Sequence, residues 1–159
     1  MSKELSEYPK ELTDGRNAVE ASFIFCLWKQ PDLYSNYGAL NDNNDETIKT
    51  EDGTFYYSLG KQLYKQGFKA FDNVSVYTFL EDKPTVKKHF EKLGGYKTVE
   101  ELRSLVDVEN TDAYFDQIAK MNTLMMLHDK GFNVLDNVKK LMKMTNQAVS
   151  YTHLTLPTI

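Results

Sequence analysis

Residues 111–128 read TDAYFDQIAKMNTLMMLH, and their spacing decides the fold class. Tyr114, Ile118, Met121, Met125 and His128 recur at intervals of four, three, four and three. An α-helix returns to one face with that period. Phe115, Leu124 and Leu127 flank the stripe, and Asn110-Thr111-Asp112 supplies residue types that cap a helix start. Gly131-Phe132-Asn133 interrupts the pattern. Val134, Val138, Leu141 and Thr145 then repeat the spacing, with Leu135 and Met142 beside them. Two amphipathic helices joined by about three residues must run antiparallel. The sequence therefore predicts a helical hairpin over 108–148. Such a hairpin has more apolar surface than its own seam can cover. Tyr114, Ile118, Met121, Met125, Val134, Val138, Leu141 and Met142 are thus expected to face a second subunit. Methionine suits either role, because it fills irregular cores and also adaptable binding surfaces.

Upstream, the same period recurs in shorter pieces. Residues 1–13 read as a tail, and a helix can begin at Asp14 or Asn17. Ala18, Val19, Ala21 to Phe25, Leu27 and Trp28 crowd nearly every face of that helix, which places it centrally in a core. Pro31 ends it. Tyr34 to Asp52 reads as a loop, richest in polar residues from Asn41 to Glu46. It fails as a calcium loop, because Glu46 or Thr47 stands where the sharp turn needs glycine. Phe55 to Gln66 resumes helical spacing with Phe55, Leu59, Leu63 and Tyr56 on one face, and Gly67 suits the position just past its end. Asp72-Asn73 can cap a helix from Val74 to Leu80, burying Val76, Phe79 and Leu80. Pro84 opens a helix to Leu93 that carries Val86 and Phe90, and Gly94-Gly95 stops it with a turn. Thr98 and Glu101 fit a capping box that would start a helix through Leu102 and Leu105. No strand-like alternation bounded by hairpin turns occurs. The expected architecture is all-α: a small bundle of about six helices over 14–107, then the hairpin.

The composition limits the chemistry. The chain has 159 residues, 41% of them hydrophobic, enough for a small core. Its 19 basic and 23 acidic residues give a net charge of −4, so the whole chain has no phosphate-gripping footprint. Cys26 is the only cysteine and lies in an apolar run, which suits a buried small hydrophobe and forbids an internal disulfide. Met1 to Glu11 has no apolar signal stretch, and no run is long enough to span a bilayer. A cytoplasmic protein with no membrane contact is expected. The nearest approach to a phosphate-binding loop, Gly53 to Gly60-Lys61, has the wrong glycine spacing, and Gln62 follows where a hydroxyl should bind magnesium. His89, His128 and His153 are too scattered for a local zinc motif. No nucleophile stands beside a base. Catalytic, cofactor-binding and metal-binding residues are therefore all expected to be absent.

Residues 149–159 break from the pattern, with four threonines and no helical spacing. They resemble the translation of a transposase-type sequencing adaptor and are set aside as non-native, with His153 among them. On that reading the natural chain continues past Ala148.

Five segments in register resemble the N-terminal domain of DnaB-type replicative DNA helicases. Asn17-Ala18-Val19-Glu20-Ala21, leading into an apolar helix, is similar to the family's opening. Phe55 to Gly67 resembles its second helix, and Phe71 to Leu80 its aspartate-led short helix. Leu93-Gly94-Gly95-Tyr96 through Leu102 resembles its Gly-Gly-aromatic turn, and Asn110 to Gly131 the tyrosine-rich first helix of its hairpin. The loop Asn36 to Asp52 is longer than usual and the hairpin poor in arginine, departures that would suit a phage-encoded member. The resemblance implies a globular helical subdomain and a hairpin that pairs between subunits, forming a dimer-based collar on a hexameric ring. It implies primase and a helicase loader as partners, and contact with DNA only through the intact helicase. ATP and magnesium would belong to a C-terminal RecA-like motor absent from this fragment, which would itself catalyse nothing. The alternative is the similarly built helicase-binding domain of a primase-like adaptor.

Overall fold

The computed structural model describes residues 8–42 and 46–140, and every regular element among them is helical. In chain order these are α1 (Lys10–Lys29), a 3-10 turn (Pro31–Leu33), α2 (Tyr34–Tyr37), α3 (Glu51–Lys65), α4 (Asn73–Leu80), α5 (Pro84–Lys92) and α6 (Gly95–Ser104). A second 3-10 turn (Val108–Asn110) leads into α7 (Thr111–Asp129), and residues 135–140 are again helical. The all-α class read from the spacing is the class observed.

Several boundaries differ from the sequence reading for local reasons. α1 starts at Lys10, ahead of the expected caps, and Leu12 is already 1% exposed. Pro31 follows the end of α1 after a single residue, Gln30, and opens the 3-10 turn. Within the expected loop, Asn41 adopts φ +66 and its side-chain amide brackets the backbone of Ile48, donating to its carbonyl and accepting from its N–H, both at 3.0 Å. α3 begins at Glu51 because the Thr50 hydroxyl accepts from the N–H of Gly53. Its buried face is Tyr56, Tyr57, Leu59 and Leu63, while Phe55 is only half-buried. The expected capping box at Thr98 does not form. Gly94 and Gly95 take φ of +114 and +66, which ends α5 and starts α6 four residues sooner, leaving Thr98 and Glu101 inside the helix. The Asp72 cap is as expected, with Val76, Phe79 and Leu80 buried behind it.

The described residues divide into two compact units: 8–23 with 109–140, and Ile24–Val108. The sequence reading had grouped Asp14–Phe23 with the larger bundle.

Trp28 anchors the Ile24–Val108 unit. It is fully buried, its indole N–H donates to the Tyr56 carbonyl at 2.9 Å, and its ring meets Phe71 and Tyr56 edge-on at 5.2 and 5.9 Å. Edge-to-face packing of this kind adds to the gain from burial. Tyr34 donates to the Tyr57 carbonyl at 2.9 Å, so both polar aromatics enter the core with their hydrogen bonds satisfied. Cys26 is buried as expected, its thiol 3.6 Å from the Asp107 carbonyl. Along the outer side, α4 packs on α5 and α5 on α6. The Gly94-Gly95 turn sets Tyr96 so that its hydroxyl donates to the Phe71 carbonyl at 2.9 Å, an acceptor shared with Arg103 at 2.9 Å.

Candidate interaction surface

In the other unit, α7 meets the part of α1 up to Phe23. Phe115 lies against Phe23 with ring centroids 5.6 Å apart. Arg16 donates from Nε to Asn122 Oδ1 at 2.6 Å and pairs one helical turn along with Glu20. Both charged side chains are buried, at 0% and 1% exposure. Burial pulls the Arg16 guanidinium below its ordinary value, and the Glu20 carboxylate opposes that shift. At the far end Tyr8 donates to Asp129 at 2.9 Å and its ring sits 5.4 Å from His128.

This packing changes the role of the α7 stripe. Tyr114, Ile118, Met121 and Met125 keep 5%, 0%, 1% and 3% of their accessible surface within the single chain. Val134 and Val138 keep 1% and 2%. A side chain so covered has no surface left to offer a second copy, so these six are core residues here and not an open seam. Leu141 and Met142 lie outside the described residues. Of the two roles open to the methionines of the stripe, core packing is the one that Met121 and Met125 take within this chain.

Among the described residues, large apolar side chains stay exposed at Val74 and Leu105 in the Ile24–Val108 unit, and at three positions around the end of α7. Met126, Phe132 and Leu135 are 49%, 60% and 38% exposed. The local geometry explains their position. Gly131 adopts φ +91 and donates to the His128 carbonyl at 3.0 Å, and Phe132 donates to the Leu127 carbonyl at 3.1 Å. This paired closure satisfies the last carbonyls of the helix and needs a residue that tolerates the left-handed region. The residue after such a glycine often folds its apolar side chain back onto the helix. Phe132 occupies that place and stays largely in solvent. The Asn133 side chain then accepts from the N–H of Leu135 at 3.1 Å, opening the helical run 135–140.

Gly67 ends α3 in the same manner at φ +97, with Phe68 donating to Leu63 at 3.2 Å, so all four glycines expected at turns have positive φ. Phe132 was read only as part of a connection. The available signal was an aromatic residue between glycine and asparagine, where turns favour polar residues. Arg16 and Glu20 were missed as a pair, although opposite charges four residues apart in an apolar helix are the mark of one.

Among the described residues no group of three or more His, Cys, Asp or Glu could hold a metal ion, and no helix is long and apolar enough to cross a membrane. None of the family models, curated proteins or solved structures compared with this chain matches it.

Proposed function

We propose that this chain is an assembly and partner-docking domain of the kind that stands at the N-terminus of DnaB-type replicative helicases. The observation that carries the reading is the exposure of three large apolar side chains, Met126, Phe132 and Leu135, within ten residues around the end of α7. The resemblance puts pairing between subunits on this helical region. Exposed aromatic and methionine side chains are the usual anchors of protein interfaces. Further support comes from three of the five segments that carry the resemblance, which have distinct structural tasks. The Asp72-led segment is a capped helix, the Gly-Gly-aromatic segment is a tight turn that seats Tyr96, and Asn110 to Gly131 spans one long helix.

In this proposal the domain works in the cytoplasm and holds subunits in a ring. It offers a platform to primase and loader proteins and leaves ATP, magnesium and DNA to the motor domain of the intact helicase. Phe132→Asp is the informative substitution. It alters an exposed side chain, so the helical signal in circular dichroism should not change. A charge placed in an apolar contact should weaken self-association roughly tenfold or more, equivalent to about 1.4 kcal/mol. Light scattering on wild type and variant reads this directly, and equal self-association in the two would remove Phe132 from the interface.

A further inference from the structure

α5 is held by a single buried residue, Phe90, and its outer face is cationic. Lys87, Lys88, His89 and Lys92 are all exposed, as is Lys97 in the adjoining helix α6. From Lys83 to Lys97 there are five lysines, one glutamate and no aspartate, in a chain whose net charge is −4. That glutamate, Glu91, is engaged by the Tyr77 hydroxyl, which donates to it. Lys83 is held by Asp82 at 2.9 Å and lies 4.0 Å over the Phe79 ring. Elsewhere Lys49, Lys61 and Lys120 have a carboxylate within ion-pair reach, while Lys65 and Lys69 stand apart from any such cluster without one among the described residues. Lys88, Lys92 and Lys97 have none among the described residues, and Lys87 has only the Tyr77 ring at 5.9 Å. Lys88 and Lys92 are four apart on one face, where like charges repel and weaken a helix. An anionic ligand would relieve that repulsion.

We infer that the outer face of α5, centred on Lys88 and Lys92, docks a short acidic segment of a partner protein. Length decides against a nucleic-acid strand. Nine residues at about 1.5 Å each span only about 13 Å. Exposed acids bound this track: Glu81 and Asp82 precede it, and Glu100 and Glu101 follow in α6. Nucleic-acid binding gains strength from many phosphate contacts, which so short a track cannot make. A helical segment with carboxylates four residues apart matches the Lys88–Lys92 interval directly. Beside the track, the His89 ring lies 4.3 Å from that of the half-buried Phe55, a flat edge on which an apolar side chain of the same segment can rest. The inference stands on charge layout and holds whether or not the helicase reading is right.

The test titrates the isotope-labelled full chain with a synthetic peptide of glutamates and leucines at helical spacing, and in parallel with single-stranded oligothymidine. Amide resonances of Lys88, Lys92 and Lys97 should shift with the peptide, and the affinity should fall as salt screens the charges. Reversal by Lys88→Glu with Lys92→Glu should weaken binding by roughly tenfold or more, since each exposed pair contributes modestly. The neutral pair Lys88→Gln with Lys92→Gln should fall between. Absence of shifts on α5 at low salt, or binding that survives charge reversal, overturns the inference. Tighter binding of the oligonucleotide at the same amides also overturns it and assigns the face to phosphate.

Discussion

Gly60 lies inside α3, where helix propensity alone would favour alanine by about 1 kcal/mol. A Cβ there would collide with the Tyr34 hydroxyl and stand 2.8 Å from Trp28 Nε1. Overpacking should win, so Gly60→Ala is expected to cost about 1–3 kcal/mol, read from urea denaturation. A more stable variant would mean that the contact between α3 and the Trp28–Tyr34 pair is looser than described. The phenols of this region titrate late. Burial pushes Tyr57 up to about 12, and burial together with nearby Asp52 does the same for Tyr56. A tyrosine that ionises later in the folded chain than in the unfolded one stabilises the fold below the ordinary value of 10.0 and gives this up as pH rises through about 12. The urea midpoint should therefore hold up to about pH 10 and drop towards pH 12 by more than in Tyr57→Phe. An identical alkaline drop in that variant would take Tyr57 out of the account. At this scale the sequence was partly legible. The caps at Asp72 and the turn glycines follow from local chemistry. The closeness of Gly60 to Trp28 and Tyr34 depends on tertiary packing, which no local pattern encodes.

The meeting of α1 and α7 is where helical periodicity and packing diverge. The stripe from Tyr114 to Met125 was plain in the sequence, but spacing gives a face and no partner for it. α1 meets α7 through Phe23 on Phe115 and through the buried Arg16, paired with Glu20 and bonded to Asn122. Removing one member of such a pair leaves an uncompensated buried charge, at a cost of about 3–5 kcal/mol. Glu20→Ala should lose that much in chemical denaturation. Arg16→Met combined with Glu20→Leu should lose clearly less, since an apolar replacement of the whole pair is often neutral. Equal losses would mean that the cost comes from packing volume and not from charge. Element ends show the same division. α4 starts at the expected cap, whereas α6 starts early because the backbone of two glycines overrides the side-chain signal of Thr98.

For the molecule as a whole, the all-α class was legible because no segment alternates as a strand does. The grouping of helices was harder to see, since the boundary between the units falls inside the continuous helix α1, between Phe23 and Ile24, and the first unit resumes only at Glu109. Long-range pairing of this kind leaves no mark on a local window. The candidate association surface shifted for the same reason, from the covered stripe of α7 to its end at Met126, Phe132 and Leu135. Sedimentation velocity over a concentration series reaching high micromolar tests that assignment most directly. The account predicts a reversible dimer or larger species that builds with concentration and recedes in Phe132→Asp. A single monomeric boundary at every concentration would contradict it.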